Sequence, residues 1–208
     1  YVSTVDGVDG VGALPGVGGD GDPTSGSVVT TNSFTAAVGE SLEFFFNYVT
    51  SDGAGYADYG WARLLDSTGN QAALLFTART TPGGSSVPGF GMPAPEATLT
   101  PDTVSIYPGT VWDVLGVDDS GDCYATGCGH TGWVQSTYAF TTAGEYKLQF
   151  GVTNWSDTAY DSGMAFAGAK VGNVIITPPP SAVPLPASGV LLVAGMGAIA
   201  AIRRRKRA

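Results

Sequence analysis

The sequence predicts an all-β chain: an antiparallel β-sandwich of jelly-roll type, followed by one C-terminal transmembrane helix. Three observations lead there. Between Ser27 and Thr177 the apolar residues come in short runs bounded by Gly, Pro, Asn, Asp and Ser, the spacing of strands joined by turns. No stretch before Pro184 sustains a helical period over three turns. Among 208 residues there are 31 Gly and 13 Pro, while charged residues contribute only 13%, roughly half the share of an average soluble domain. That composition excludes helical bundles and coiled coils. A hydrophobic content of 43%, with 11% aromatic residues, is enough for one sizeable core.

The expected strands are Ser27–Thr31, Ser41–Val49, Tyr59–Leu65, Ala72–Thr77, Thr103–Ile106, Trp133–Phe140, Glu145–Thr153 and Ser162–Ile176, the last interrupted near Gly168. Eight strands without intervening helices argue for a sandwich. An immunoglobulin-like sandwich is the alternative, disfavoured because Cys123 and Cys128 lie too close in sequence to bridge opposing sheets. The Gly-rich segment 1–26 offers few side chains to bury and is expected as a surface loop, with Tyr1-Val2-Ser3 the remnant of a first strand. In residues 81–97, TPGGSSVPGFGMPAPEA, Pro and Gly are spaced so that neither helix nor sheet is expected.

The net charge of −9 is unevenly distributed. Five of the nine cations, Arg203, Arg204, Arg205, Lys206 and Arg207, close the chain, so the rest carries four cations against 18 acids, a net of −14. An acidic body repels phosphate backbones, which excludes nucleic acid as a partner. The chain opens at Tyr1 without a charged, apolar leader, so either a signal peptide has been removed or the sequence is a piece of a longer chain. Twenty uncharged residues, 183–202, precede the basic end. As a helix they span about 30 Å, enough for a bilayer, and the cations place the C-terminus on the cytoplasmic side. Residues 178–182 read as a stiff Pro-rich linker between the sandwich, 27–177, and this anchor.

Val183-Pro184-Leu185-Pro186-Ala187, then an apolar segment (helix 185–202), then the Arg cluster, resembles the PEP-CTERM class of bacterial sorting signals in its VPLPA variant. The resemblance covers the last 26 residues. It implies export, an inner-membrane anchor, recognition and cleavage by an exosortase-type enzyme, and a final place on the cell surface or in the extracellular polysaccharide matrix. The segments YVTSDGAGYADYGWARLL, LLFTARTTPGG, CYATGCGHTGW and GVTNWSDTAYDSGMAF resemble ectodomains joined to such signals, and that likeness implies no activity. Given export, Cys123 and Cys128 are expected to form a local disulfide, closing a loop of four residues that includes Gly127.

One internal echo stands out. Residues 42–62, LEFFFNYVTSDGAGYADYGWA, and 148–165, LQFGVTNWSDTAYDSGMA, share a strand, an aromatic, Ser-Asp, a short loop with Tyr and a second Asp, then Gly, a large apolar residue and Ala. Two hairpins in equivalent halves of a jelly roll would produce this. Asp52 and Asp58 flank the first loop, Asp157 and Asp161 the second. Calcium takes oxygens of this kind, and Asp equally hydrogen-bonds its own turn; both readings stand. Asp118, Asp119 and Asp122 form a further acidic cluster, without the closing Glu of a calcium loop. Trp155, Tyr160 and Tyr56 are expected on loops, where they would offer sugar-stacking faces. His130 beside Cys128 raises a zinc site or a Cys-His pair, but two Cys and one His are too few zinc ligands, and a disulfide removes the thiol.

The sequence reads as an exported, non-enzymatic surface or matrix protein of structural or adhesive role. A carbohydrate-binding module is the alternative, and a glycan hydrolase, which needs two carboxylates facing across a cleft, is the second. If the tail sorts the protein, a chain ending at Pro180 fails to reach the surface or matrix; fractionation of cells expressing both lengths checks this, and equal delivery would refute it.

Overall fold

The computed structural model describes residues 1–108 and 122–176, and no helix occurs among them. Asp118 and Asp119, the linker 178–182, the apolar span, the VPLPA motif and the basic end lie outside the described residues. The strands are β1 (Val2–Ser3), β2 (Val8–Asp9), β3 (Pro23–Thr30), β4 (Phe34–Ala36), β5 (Ser41–Thr50), β6 (Tyr59–Asp66) and β7 (Gln71–Arg79), then β8 (Thr98–Thr100), β9 (Tyr107–Pro108), β10 (Gly129–His130), β11 (Val134–Ala139), β12 (Gly144–Trp155), β13 (Ser162–Val171) and β14 (Val174–Ile175).

They form two antiparallel sheets. In the first, β5 is central, paired with β13 on one side and with β11 and β10 on the other; β1 and β14 extend β13, β8 pairs β11 and β9 pairs β10. The second runs β2-β3-β12-β6-β7, with β4 also on β12. Alternation along each strand sets the inner faces. Leu42, Phe44, Phe46 and Tyr48 of β5 are buried with Leu148, Phe150 and Val152 of β12 in one core. Aromatic pairs cross between the sheets: Phe46 stacks on Phe76 at 3.6 Å, Phe166 on Phe150 at 4.0 Å, and Phe44 meets Phe150 edge-on at 5.3 Å.

Several expectations need correction. The strand placed at Thr103–Ile106 is reduced to a single bridge, Val104 to Val87, so the stretch read as structureless supplies one paired residue. The short strands β2, β4, β8, β9 and β10 were not expected, since two or three residues carry no visible alternation. The break near Gly168 is a bulge between Ala167 and Lys170, with Gly168 at φ 67°. The echoed segments are not hairpins. β5 lies in one sheet and β6 in the other, as do β13 and β12, so each echo is an arch that crosses between sheets. The two arches are neighbours because β5 pairs β13 and β6 pairs β12.

The N-terminal segment, expected as a loop, carries β1, β2 and the start of β3, and residues 10–22 between β2 and β3 form a loop with a structural task. The outer face of the second sheet carries an apolar patch of Tyr59, Trp61, Leu74 and Trp155, completed by Leu14 of the segment, with Val17 and Met92 packed against it. Buried indole N–H groups need acceptors, and backbone carbonyls supply them: Trp61 Nε1 donates to Gly12 O and Trp155 Nε1 to Asp20 O, both at 2.7 Å. Arg79, buried at the end of β7, lies over the Trp155 ring at 4.4 Å and donates to Ala57 O and Gly18 O. Gly151 faces Trp61 across β12 and β6, and a Cβ there would collide with the indole. Gly151→Ala is expected to cost about 1–3 kcal/mol by overpacking and to expose residues 12–20 to protease; thermal melting and limited proteolysis check both.

Candidate functional site

The two arches, residues 51–58 and 156–161, meet at one end of the sandwich. Their backbones carry the same feature: Ala57 (φ 44°) and Tyr160 (φ 57°) both adopt left-handed geometry immediately before Asp58 and Asp161. Ser51 N and Oγ donate to Asp161 O at 3.1 and 2.7 Å. In return, Trp155 N donates to Asp58 Oδ1 at 2.8 Å, Ser162 Oγ lies 2.7 Å from Asp58 Oδ2, and Tyr48 Oη donates to Asp58 O at 2.7 Å. Ser162 Oγ also stands 2.8 Å from Thr50 Oγ1, which accepts from Asp52 N at 3.1 Å.

Burial pushes the Asp58 carboxyl well above the usual carboxylate range, opposed by the Ser162 bond and reinforced by the charge of Asp52. Ser162 Oγ donates to Asp58 Oδ2 and Trp155 N to Asp58 Oδ1, so both oxygens of the buried carboxyl have partners.

A third segment completes this end. Cys123 and Cys128 are disulfide-bonded, with Cα atoms 5.6 Å apart, and their loop lies against the first arch: Tyr124 N donates to Ser51 O and Ala54 N to Thr126 O, both at 2.9 Å. The approach requires glycine on both sides, because a Cβ on Gly53 would meet Ala125 and one on Gly127, at φ 107°, would meet Ala54. Tyr124 is thereby held over the arches. Between the three segments lies a cleft of about 90 Å³ lined by Asp52, Tyr56, Tyr124, Asp157, Ala159 and Tyr160. The Tyr56 and Tyr124 ring centroids are 5.5 Å apart at 78°, and those of Tyr124 and Tyr160 4.9 Å apart at 50°. The Tyr56 phenol is pushed up, first by its contact with the Tyr124 hydroxyl and further by the charges of Asp157 and Asp52.

The structure thus gathers Asp52, Asp157, Tyr56 and Tyr160 into one cleft and places the remaining candidates elsewhere. Asp58 is buried in the network between the arches. Asp161 Oδ1 accepts from Thr4 Oγ1 at 2.7 Å, tying the start of β13 to the N-terminal strand. Trp155 is not on a loop: it ends β12, buried beneath Arg79, because its indole fills the outer patch of the second sheet. Tyr124 was missed in the sequence, where only its place beside Cys123 signals it. Among the described residues no three His, Cys, Asp or Glu side chains come together. His130 pairs with Tyr107, ring centroids 5.6 Å apart, and its Nδ1 accepts from Gly132 N at 3.1 Å.

No known protein family, curated protein or solved structure matches this chain. A function for it therefore rests on the geometry of the cleft and on the sequence.

The raised carboxyl of Asp58 fixes the sign of one pH effect. A group whose pKa is higher folded than unfolded contributes stability that is fully present below its unfolded value, about 4, and is lost as pH rises through its folded value. Asp58→Asn imitates the protonated form, so its melting temperature is expected to stay level over that window while that of the parent falls. Asp58→Ala, which strands Trp155 N, is expected to lose about 1–3 kcal/mol at every pH; melting curves across the pH range test both.

Proposed function

We propose that the chain is an exported adhesive module of the cell surface or extracellular matrix that grips polysaccharide through the cleft between its two arches, and that it is not an enzyme. The observation that carries the reading is the convergence of three tyrosines and two aspartates from three separate segments on one opening. Tyrosine rings offer apolar faces to the C–H face of a sugar, and ionised carboxylates accept from its hydroxyls. The VPLPA-type tail supports delivery through the inner membrane and processing by an exosortase-type enzyme at the surface.

The strand order supports the finer jelly-roll assignment. Taking β1, β3, β5, β6, β7, β11, β12 and β13 as the eight principal strands, first pairs eighth, second seventh, third sixth and fourth fifth, the pairing of a ribbon rolled upon itself. Arches at the end of such a roll are loops on a rigid scaffold, a favoured place for binding residues. The glycan hydrolase reading draws only on Asp52 and Asp157 sharing the cleft. A volume of about 90 Å³ falls far below the roughly 300–1,000 Å³ of small-molecule sites, which favours holding one substituent over enclosing a sugar ring and an attacking water.

Binding of the purified chain to an array of extracellular glycans, with and without calcium, tests the proposal. Tyr56→Ala is expected to weaken binding about three- to tenfold, the worth of one aromatic contact, while the fold stays unchanged by circular dichroism. A chain that binds no glycan under either condition, or a Tyr56→Ala variant that binds as well as the parent, would overturn it.

A further inference from the structure

Three properties of the cleft narrow the chemistry of what it holds. Its size admits one compact substituent. Its walls are aromatic: Tyr56 and Tyr124 lie at 78° and Tyr124 and Tyr160 at 50°, an angular arrangement that surrounds a small group from more than one side. Its charge is negative, because Asp52 and Asp157 line it and, among the described residues, no cation does.

The four cations of the described residues are committed elsewhere or lie along strands away from this opening. Arg63 packs over Trp61 at 4.9 Å and donates to Gln149 Oε1. Arg79 is buried among carbonyls, Lys170 pairs with Glu43 at 3.1 Å, and Lys147 sits on β12 opposite Leu65. A carboxylate or sulfate on the ligand would therefore meet two carboxylates and no counter-charge. The field of these acids is felt by their neighbours: Asp52 and Asp157 both act to raise Asp58 and Tyr56, after burial at Asp58 and after the Tyr124 contact at Tyr56.

We infer that the cleft takes a small alkylammonium group, supplied by the protonated amine of an amino sugar in the bound polysaccharide. The electron-rich faces of the tyrosines attract such a cation, and the Asp157 carboxylate accepts its N–H bonds as charge-assisted hydrogen bonds, while Asp52, buried and accepting from Gly53 N, adds its charge from beneath the cleft. An N-acetylated amine has neither the charge nor the size. The inference rests on the carbohydrate reading for the source of the ammonium and on the cleft alone for its chemistry.

Isothermal titration of the purified chain with an oligomer of glucosamine, its fully N-acetylated counterpart and tetramethylammonium separates the two. The glucosamine oligomer is expected to bind at least about tenfold more tightly than the acetylated one. Tyr124→Ala, which leaves the net charge unchanged at a half-exposed position, is expected to weaken that binding about three- to thirtyfold, and Asp157→Asn to weaken it as well. Asp102→Asn, an exposed acid outside the cleft, should bind like the parent. Equal binding of the acetylated oligomer would overturn the ammonium assignment and leave the carbohydrate reading intact. Binding of tetramethylammonium but of neither oligomer would keep the ammonium and remove the carbohydrate. An unaffected Tyr124→Ala variant, or equal losses in Asp102→Asn and Asp157→Asn, would mean diffuse charge attraction and overturn the inference; no binding of any probe would overturn both.

Discussion

The carboxyl of Asp58 joins the two arches, and the end of the sandwich is organised around it. One oxygen accepts from the backbone where β12 ends and the other meets the hydroxyl where β13 begins, so a single side chain of the first arch fixes both feet of the second. The same residue's carbonyl accepts from Tyr48, inside the core. A buried polar group left without partners would cost more than its bonds contribute, so the arches hold one mutual position. That position sets where Asp52 and Asp157 stand relative to each other.

The disulfide loop adds the third wall. Its six residues close too small a ring for a large effect on stability, about 2 kcal/mol on a chain-entropy view. Its role is placement: two backbone hydrogen bonds and two glycine contacts seat it on the first arch, and Tyr124 follows. Carbonyls, hydroxyls and the buried carboxyls of Asp52 and Asp58 thus build the scaffold on which Tyr56, Tyr124 and Tyr160 stand around the cleft.

The sequence made the long strands legible because β5, β6, β7, β11, β12 and β13 each combine a buried face with turn residues at both ends. The short strands were not legible, since pairing there depends on neighbours distant in the chain, as with Gly129 and His130 beside Thr50 and Val49. The echo was visible as residues but not as geometry. Strand-loop-strand reads alike for a hairpin and for an arch, and only the pairing of β5 with β13 and of β6 with β12 separates them. Of the cleft, Tyr56, Tyr160, Asp52 and Asp157 could be nominated because the echo aligned them. Trp155 misled because Ser156 and Asp157 behind it look like the start of a turn, whereas its indole is needed on the outer face of the second sheet.

The segment that covers that outer face is held through its main chain. Gly12, Gly18 and Asp20 contribute carbonyl oxygens to Trp61, Arg79 and Trp155, and Leu14 is its one buried side chain in the outer patch. Gly12, Gly16, Gly19 and Gly21 take positive φ, so the path itself requires glycine there. Because a carbonyl is the same whatever residue carries it, most side chains along this stretch could change without loss of these bonds. Related chains should drift in letters here while keeping its length, its glycines and one apolar residue at position 14, so that a stretch that looks expendable in an alignment would be intolerant of insertion or deletion.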